Sequence, residues 1–257
     1  MRERWLELTG ARGQLARRRG SPRQARRTAW QAAGPNKCNS NHPHTMLKRL
    51  VDIAGAATGL AITAPVMAAS AAAVGLTMGR PIFFRQTRPG KDGEPFELIK
   101  FRTMRPPADG EERIGNDEGR ITSVGRFLRS TSIDELPTLW NVLRGDMSLV
   151  GPRPLLMRYL DRYTPEQARR HRVRPGITGL AQVSGRNELV WDEKFRLDTR
   201  YVDQQSLWLD LRILARTVTK VLMRDGISSV GHATAPEFMG PRNRHPDAER
   251  PRRATPN

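Results

Sequence analysis

Cysteine is almost absent from this 257-residue chain: Cys38 stands alone, which excludes a disulfide within the chain and any zinc site built on several thiolates. Histidine is scarce as well, and the one close pair, His42 and His44 around a proline, sits in Asn- and Pro-rich surroundings that read as a solvated tail. Acidic side chains are few, 26 against 44 Lys and Arg, for a net charge of +18. So basic a chain is attracted to phosphate, whether in nucleic acid, anionic lipid or a phosphorylated substrate, and charge alone does not choose among them. Charge is missing altogether from residues 53–79, and no internal repeat is visible.

What is present divides the chain into four. Residues 1–45 are Arg-rich, opposed only by Glu3 and Glu7, with no helical period, no signal-peptide core and no cleavage pattern. They read as a disordered extension, or as a stretch ahead of a true start at Met46. Residues 232–257, rich in Pro and Arg, read as a disordered tail. The uncharged segment is long enough to cross a bilayer. Its many alanines also suit a buried soluble helix, but in so basic a chain the absence of charge favours membrane. Pro65, at its centre, predicts a break in the helix. Basic residues flank both ends (Lys48 and Arg49, then Arg80, Arg85 and Arg88), so a single crossing has no preferred orientation. A helix-break-helix over 46–80 that enters and returns satisfies both flanks.

Residues 81–231 carry the signals of a folded domain. Apolar, β-prone runs at 82–86 and 96–101, joined by Pro-Gly-Lys-Asp-Gly, predict a hairpin. A polar loop over 105–119, a helix around Arg126 to Arg129 and a helix carrying Leu136, Leu139, Trp140 and Leu143 follow, the last stopped by Gly145. A long helix is expected from Pro165. The stretch 191–223 mixes Trp and aliphatic residues with Arg and Lys, as an amphipathic helix on an anionic membrane surface or on the domain core would.

The chemistry concentrates at Ser132-Ile133-Asp134-Glu135. The spacing of Ser132 and Glu135 is that of a capping box, a purely structural account of both. Asp134 is not required by such a box; in a first helical turn its ionised form would be favoured, and a carboxylate beside a second one suits attack on phosphorus or metal binding. Lys100, Arg102, Arg129 and Arg153 are the cations placed to hold phosphate oxygens, Arg153 between two prolines that fix its backbone.

The strings KRLVDI, FFRQTRPGKDGEPFELIKFRTM, GRFLRSTSIDELPTLWNVLRGDMSLVGPRPLL, RPGITGLAQVSGRN and SLWLDLRILARTV occur in this order, and with them the ordered stretch resembles the bacterial sugar transferases, the monotopic polyprenyl-phosphate phosphoglycosyl transferases, in their small, core-only form. The resemblance implies an α/β fold: a mainly helical catalytic domain with a small β-hairpin or sheet, preceded by a re-entrant membrane segment broken at Pro65 and accompanied by interfacial amphipathic helices. It implies transfer of a sugar 1-phosphate from a UDP-sugar to a polyprenyl phosphate with Mg²⁺, at the inner membrane with the domain facing the cytoplasm, initiating a lipid-linked glycan for downstream glycosyltransferases. By similarity Asp134 is the nucleophile, Glu135 serves the metal or the proton, and Lys100, Arg129 and Arg153 bind the diphosphate. Ala64 departs from the common pattern at the helix break and weakens a hydrogen bond there, and Leu180, Ser184 and the pair Gln204-Gln205 depart from it in a region that bears on donor choice. Two readings compete: a nucleic-acid-binding protein, which leaves the uncharged segment idle, and a non-catalytic membrane scaffold, in which the acidic pair is only a cap.

Overall fold

The computed structural model describes residues 43–106, 117–185, 189–223 and 237–240. The expected extension before residue 43, the centre of the 105–119 loop and most of the expected tail lie outside the described residues. The first element, α1 (Pro43–Met78), is a helix of 36 residues. It contains the whole uncharged stretch up to Met78, and it is long and apolar enough to cross a membrane, with little of its surface covered by protein. Helical conformation continues through Pro65 where a break was expected. Proline removes one hydrogen bond and crowds the preceding turn, and nearby hydroxyls are turned back onto the helix, Thr63 to the Gly59 carbonyl at 2.7 Å and Ser70 to that of Val66 at 2.8 Å.

Both ends of α1 dock on the folded domain. Asp52 and Ala56 are buried near its start and Ser70 and Val74 near its end; between them no residue is buried. Ala56 joins a core of Leu98, Val142 and Met147, whereas Val74 joins Phe101 and Leu128. Polar contacts fix the start. Lys48 Nζ donates to Asp210 Oδ2 at 2.6 Å and to the Val150 carbonyl at 3.2 Å, while Asp52 Oδ1 accepts from Ser148 Oγ and the Leu149 N–H, both at 3.0 Å. Lys48 and Arg49, which as flank charges spoke about orientation in a membrane, are thus spent on the domain. Arg49 donates to the Val142 and Leu143 carbonyls at 2.7 and 2.9 Å.

The strands β1 (Phe83–Pro89) and β2 (Pro95–Phe101) pair antiparallel in the expected hairpin, from Phe83 opposite Phe101 to Pro89 opposite Pro95. Asp92 and Gly93 take the left-handed conformation that the tight connection needs, as the Asp-Gly signal suggested. After α2 (Asp117–Arg120), helix α3 (Ser123–Ser130) starts on a Thr122 hydroxyl that accepts from the Gly125 N–H at 3.0 Å.

Helix α4 (Thr138–Arg144) ends at Gly145 as expected, yet its buried face is Thr138, Asn141 and Val142, and Trp140 is exposed. The reason is the edge of β2. Asn141 accepts from the Ile99 N–H at 3.1 Å and donates to the Glu97 carbonyl at 2.7 Å, and Thr138 Oγ1 donates to the Ile99 carbonyl at 3.0 Å, so side chains replace a missing third strand. Arg49 sits over the carbonyl end of α4, where a cation is favourable.

Strand β3 (Ser148–Val150) pairs parallel with β4 (Gly176–Thr178), a second sheet that the sequence reading did not anticipate. Between them the long helix expected from Pro165 is the short α5 (Pro165–Ala168), opened by a Thr164–Gln167 capping box and closed into a tighter turn over Arg169–Arg172. Helix α6 (Leu180–Ser184) follows β4, and the amphipathic stretch 191–223 resolves into α7 (Trp191–Asp203) and α8 (Leu207–Met223).

His171 is buried with Nδ1 3.3 Å from the Gly90 carbonyl, a geometry that requires the proton on Nδ1. Burial, reinforced by the charge of Arg170, lowers its pKa to about 3. The unfolded chain therefore takes up a proton below about pH 6.5 that the folded chain refuses, and stability falls as the pH drops through that window. At pH 5 the loss is about 2 kcal/mol relative to pH 7. His171→Asn, which keeps a donor toward Gly90, flattens that part of the profile in chemical denaturation at the two pH values; an unchanged difference would refute the assignment.

Candidate active site

The acidic pair does not open a helix. Ser132 adopts φ 57°, ψ 15°, its hydroxyl makes no cap, and residues Ile133–Glu135 form one tight turn ahead of α4, which begins beyond Pro137. The capping-box reading is therefore wrong for this chain, and Asp134 sits in this tight turn rather than in the first turn of α4. A non-glycine residue in the left-handed region is uncommon and costs energy, and such strain gathers where a loop must aim side chains. Here it projects both carboxylates toward the cations.

Glu135 Oε1 accepts from Lys100 Nζ at 2.6 Å and from Arg153 Nη2 at 2.7 Å. One oxygen thus joins the end of β2 to the Gly151-Pro152-Arg153-Pro154 loop after β3. Burial, the largest single influence, pushes the Glu135 pKa up, but Arg153 and Lys100, by charge and hydrogen bond, outweigh it and hold the carboxyl well below the usual range. Asp134 differs. It has no hydrogen-bond partner among the described residues, and burial together with the neighbouring Glu135 charge raises its pKa to about 6 against the pull of Lys100, Arg129 and Arg153. Two adjacent carboxyls pushed apart in this way have different chemical roles. Glu135 is a fixed anion that gathers cations, and Asp134 is an anion near three cations, largely ionised at neutral pH, with no hydrogen-bond partner among the described residues.

Of the four cations expected from the sequence, Lys100 and Arg153 touch the pair and Arg129 stands on the Asp134 side, held by Thr103 Oγ1 at 2.9 Å. Arg102 does not join them. Its guanidinium donates to the Met78 and Gly79 carbonyls at 2.5 and 2.6 Å, closing the C-terminal end of α1, because β2 ends at Phe101 and the chain turns there toward the helix.

Two arginines that the sequence did not assign to the site stand behind the loop. Arg88 donates to the Pro154 carbonyl at 3.3 Å and Arg170 to the Arg153 carbonyl at 2.7 Å. Arg170 is itself buried against Asp198 at 2.7 Å. Arg88 had a local signal, its place before Pro-Gly, whereas Arg170 reaches the site only through tertiary folding. Gly151 is required by space: a Cβ there would lie 2.4 Å from the Arg174 carbonyl oxygen.

Among the described residues no three carboxylate, histidine or cysteine side chains gather. Magnesium takes one or two carboxylates, several waters and the substrate's own phosphates, and an unpartnered Asp134 beside Glu135 fits that donor set.

Residues 43–224 match the profile of the family described as bacterial sugar transferase. The chain is 53% identical over 195 residues to the uncharacterized sugar transferase EpsL of Bacillus subtilis, covering 76% of this chain and 96% of that one. It is 46% identical over 189 residues to the UDP-glucose:undecaprenyl-phosphate glucose-1-phosphate transferase of Caulobacter vibrioides, covering 69% and 70%. Against the UDP-galactose-lipid carrier transferase of Erwinia amylovora identity is 39% over 205 residues, and there the match spans only 43% of the relative's length.

Proposed function

Since the chain belongs to the bacterial sugar transferase family, we propose that it transfers a sugar 1-phosphate from a UDP-sugar to undecaprenyl phosphate through a covalent intermediate on Asp134. The observation that carries this reading is the contrast within the acidic pair: one oxygen of Glu135 is taken by Lys100 and Arg153, while Asp134 has no hydrogen-bond partner among the described residues and feels the charge of Arg129.

In the first half-reaction a carboxylate oxygen of Asp134 attacks the phosphorus that bears the sugar. The bond from that phosphorus to the bridging oxygen breaks and UMP leaves with the electron pair. In the second, a phosphate oxygen of the polyprenyl phosphate attacks the same phosphorus, the aspartyl ester bond breaks, and the lipid diphosphate sugar departs with Asp134 restored. Both nucleophiles are already anions, so neither half needs a proton removed. Glu135, held ionised by two cations, serves as organiser and metal ligand rather than as base. Arg153, Lys100 and Arg129 bind and orient the diphosphate oxygens, where positioning and charge neutralisation are most of phosphoryl-transfer catalysis. Asp134 and Glu135 would hold Mg²⁺, which would supply further charge neutralisation.

The same proposal places the site at the membrane. Both ends of α1 are tied to one domain, by Lys48, Arg49 and Asp52 at its start and by Arg102 at its end, which supports a helix that enters the lipid and returns to the cytoplasmic face of the inner membrane. On α8, Trp208, Leu211 and Val218 are exposed beside Arg212, whose guanidinium lies 5.7 Å from the Trp208 ring, a combination suited to lipid headgroups.

The test is UMP release from a panel of UDP-sugars with undecaprenyl phosphate and Mg²⁺. Release that depends on one donor and on the lipid phosphate is the expected result. Silence across the panel from folded protein, beside an active control enzyme, would overturn the reading.

A further inference from the structure

A short segment far from the acidic pair in sequence, residues 237–240, is seated in the domain. Phe238 is 2% exposed. Its ring lies 4.9 Å from that of Phe195, 5.6 Å from Trp191, 5.7 Å from Tyr159 and 5.8 Å from Tyr163. Its backbone is held at both polar groups: the N–H donates to Tyr159 Oη at 3.2 Å and the carbonyl accepts from Arg162. Glu237 pairs with Arg162 at 2.8 Å and with Arg158 at 3.0 Å. An aromatic anchor beside an acidic residue, matched by an aromatic socket rimmed with arginine, has the anatomy of a docked recognition peptide.

The socket is also the back wall of the arginine loop. Leu155 and Leu156, which directly follow Arg153-Pro154, pack against the same aromatic cluster. A second path runs through polar groups: Tyr163 Oη lies 3.4 Å from Arg170 Nη1, and Arg170 Nη2 donates to the Arg153 carbonyl at 2.7 Å. Trp191 ties in the start of α7. Without Phe238 the cluster would hold a cavity the size of a phenyl ring, and cores relax only in part around such a void.

We propose that the Glu237–Phe238 segment is a latch that positions Arg153 for the donor diphosphate: the docked ring sets the loop's backbone, and the loop presents the guanidinium to Glu135 and to phosphate. The role of Arg153 in this rests on the transferase reading; the control of the loop by the latch does not.

The experiment uses the full chain with Phe238→Ala, Phe238→Leu and Glu237→Ala. Hydrogen exchange at the amides of Tyr159 and Gly176, which donate to the Leu156 and Pro152 carbonyls of the loop at 3.0 Å each, becomes at least tenfold faster in Phe238→Ala while the β1–β2 ladder is unchanged. Phe238→Leu restores most of the protection. Glu237→Ala, which removes only half-exposed ion pairs and so guards against a misfolded alanine variant, gives a smaller acceleration, about threefold, at the same amides. In UMP release the donor KM of Phe238→Ala rises at least fivefold, with kcat within about twofold. Unchanged exchange at these amides, or acceleration spread evenly over the domain, overturns the latch. If the wild type releases no UMP from any donor, the transferase reading fails and the exchange measurement alone judges the latch.

Discussion

Asp134→Asn abolishes UMP release, by at least about a thousandfold or some 4 kcal/mol of activation free energy, and leaves the fold no less stable than before. The two halves of this result belong together. An amide oxygen is a poor nucleophile toward phosphorus and its ester intermediate is not accessible, so no slow version of the two-step route survives. A scaffold whose acidic pair is only structural would instead lose stability. In this fold Asp134 contributes no hydrogen bond among the described residues, and burial beside Glu135 disfavours its charge. With the folded pKa raised to about 6, the carboxyl favours the folded state when protonated, and this benefit is lost as the pH rises through that value. At pH 7 the neutral amide therefore gains on the order of 1–2 kcal/mol in unfolding free energy. Activity within tenfold of wild type, or a marked drop in melting temperature, would remove Asp134 from the role assigned to it.

Lys48→Met costs about 3–5 kcal/mol of stability, because it leaves Asp210 buried without its cation. Asp210 is 5% exposed and receives Lys48 on one oxygen and the Tyr201 hydroxyl, at 2.7 Å, on the other. Lys48 also lies 3.9 Å from Asp52 and donates to the Val150 carbonyl, so one methionine strips a partner from three elements. Adding Asp210→Asn to Lys48→Met recovers at least half of the loss, since the amide still accepts from Tyr201 and no longer needs a counter-ion. Denaturation of Lys48→Met, Asp210→Asn, the double variant and the wild type in the same detergent closes the cycle. Lys48→Met within about 0.5 kcal/mol of wild type would mean that the network is hydrated and carries little.

Much of the site could be read from the chain itself, and the failures are instructive. Lys100 and Arg153 meet at Glu135 and Arg129 stands nearby, held by Thr103, and each belongs to a stretch with a strong local character: a strand end, a turn, a loop stiffened by prolines, a helix end. Arg102 failed since spacing cannot tell where a strand ends, and the residue one step beyond it turned to α1 instead. The capping box failed because Ser-x-x-Glu is a local pattern, whereas Glu135 obeys two cations that are 35 and 18 residues away in sequence. The hairpin carried its own turn chemistry and was legible; the parallel pairing of β3 with β4 joins two three-residue strands across an intervening segment and left no local trace. The polar face of α4 was hidden for a related reason: Asn141 is buried to serve the edge of β2, a demand that exists only once the two elements meet.

The bond between Lys48 and Asp210 spans 162 residues. A ribosome adding about 5–20 residues each second needs roughly ten to thirty seconds to reach the partner after the lysine has been made. Throughout that interval the first helix exists without the carboxylate it will finally hold, and Asp52, four residues on, is the one nearby acid that can keep Lys48 company. The order of synthesis thus puts α1 before the anion that locks it, so the start of this helix is fixed only after Asp210 has been made.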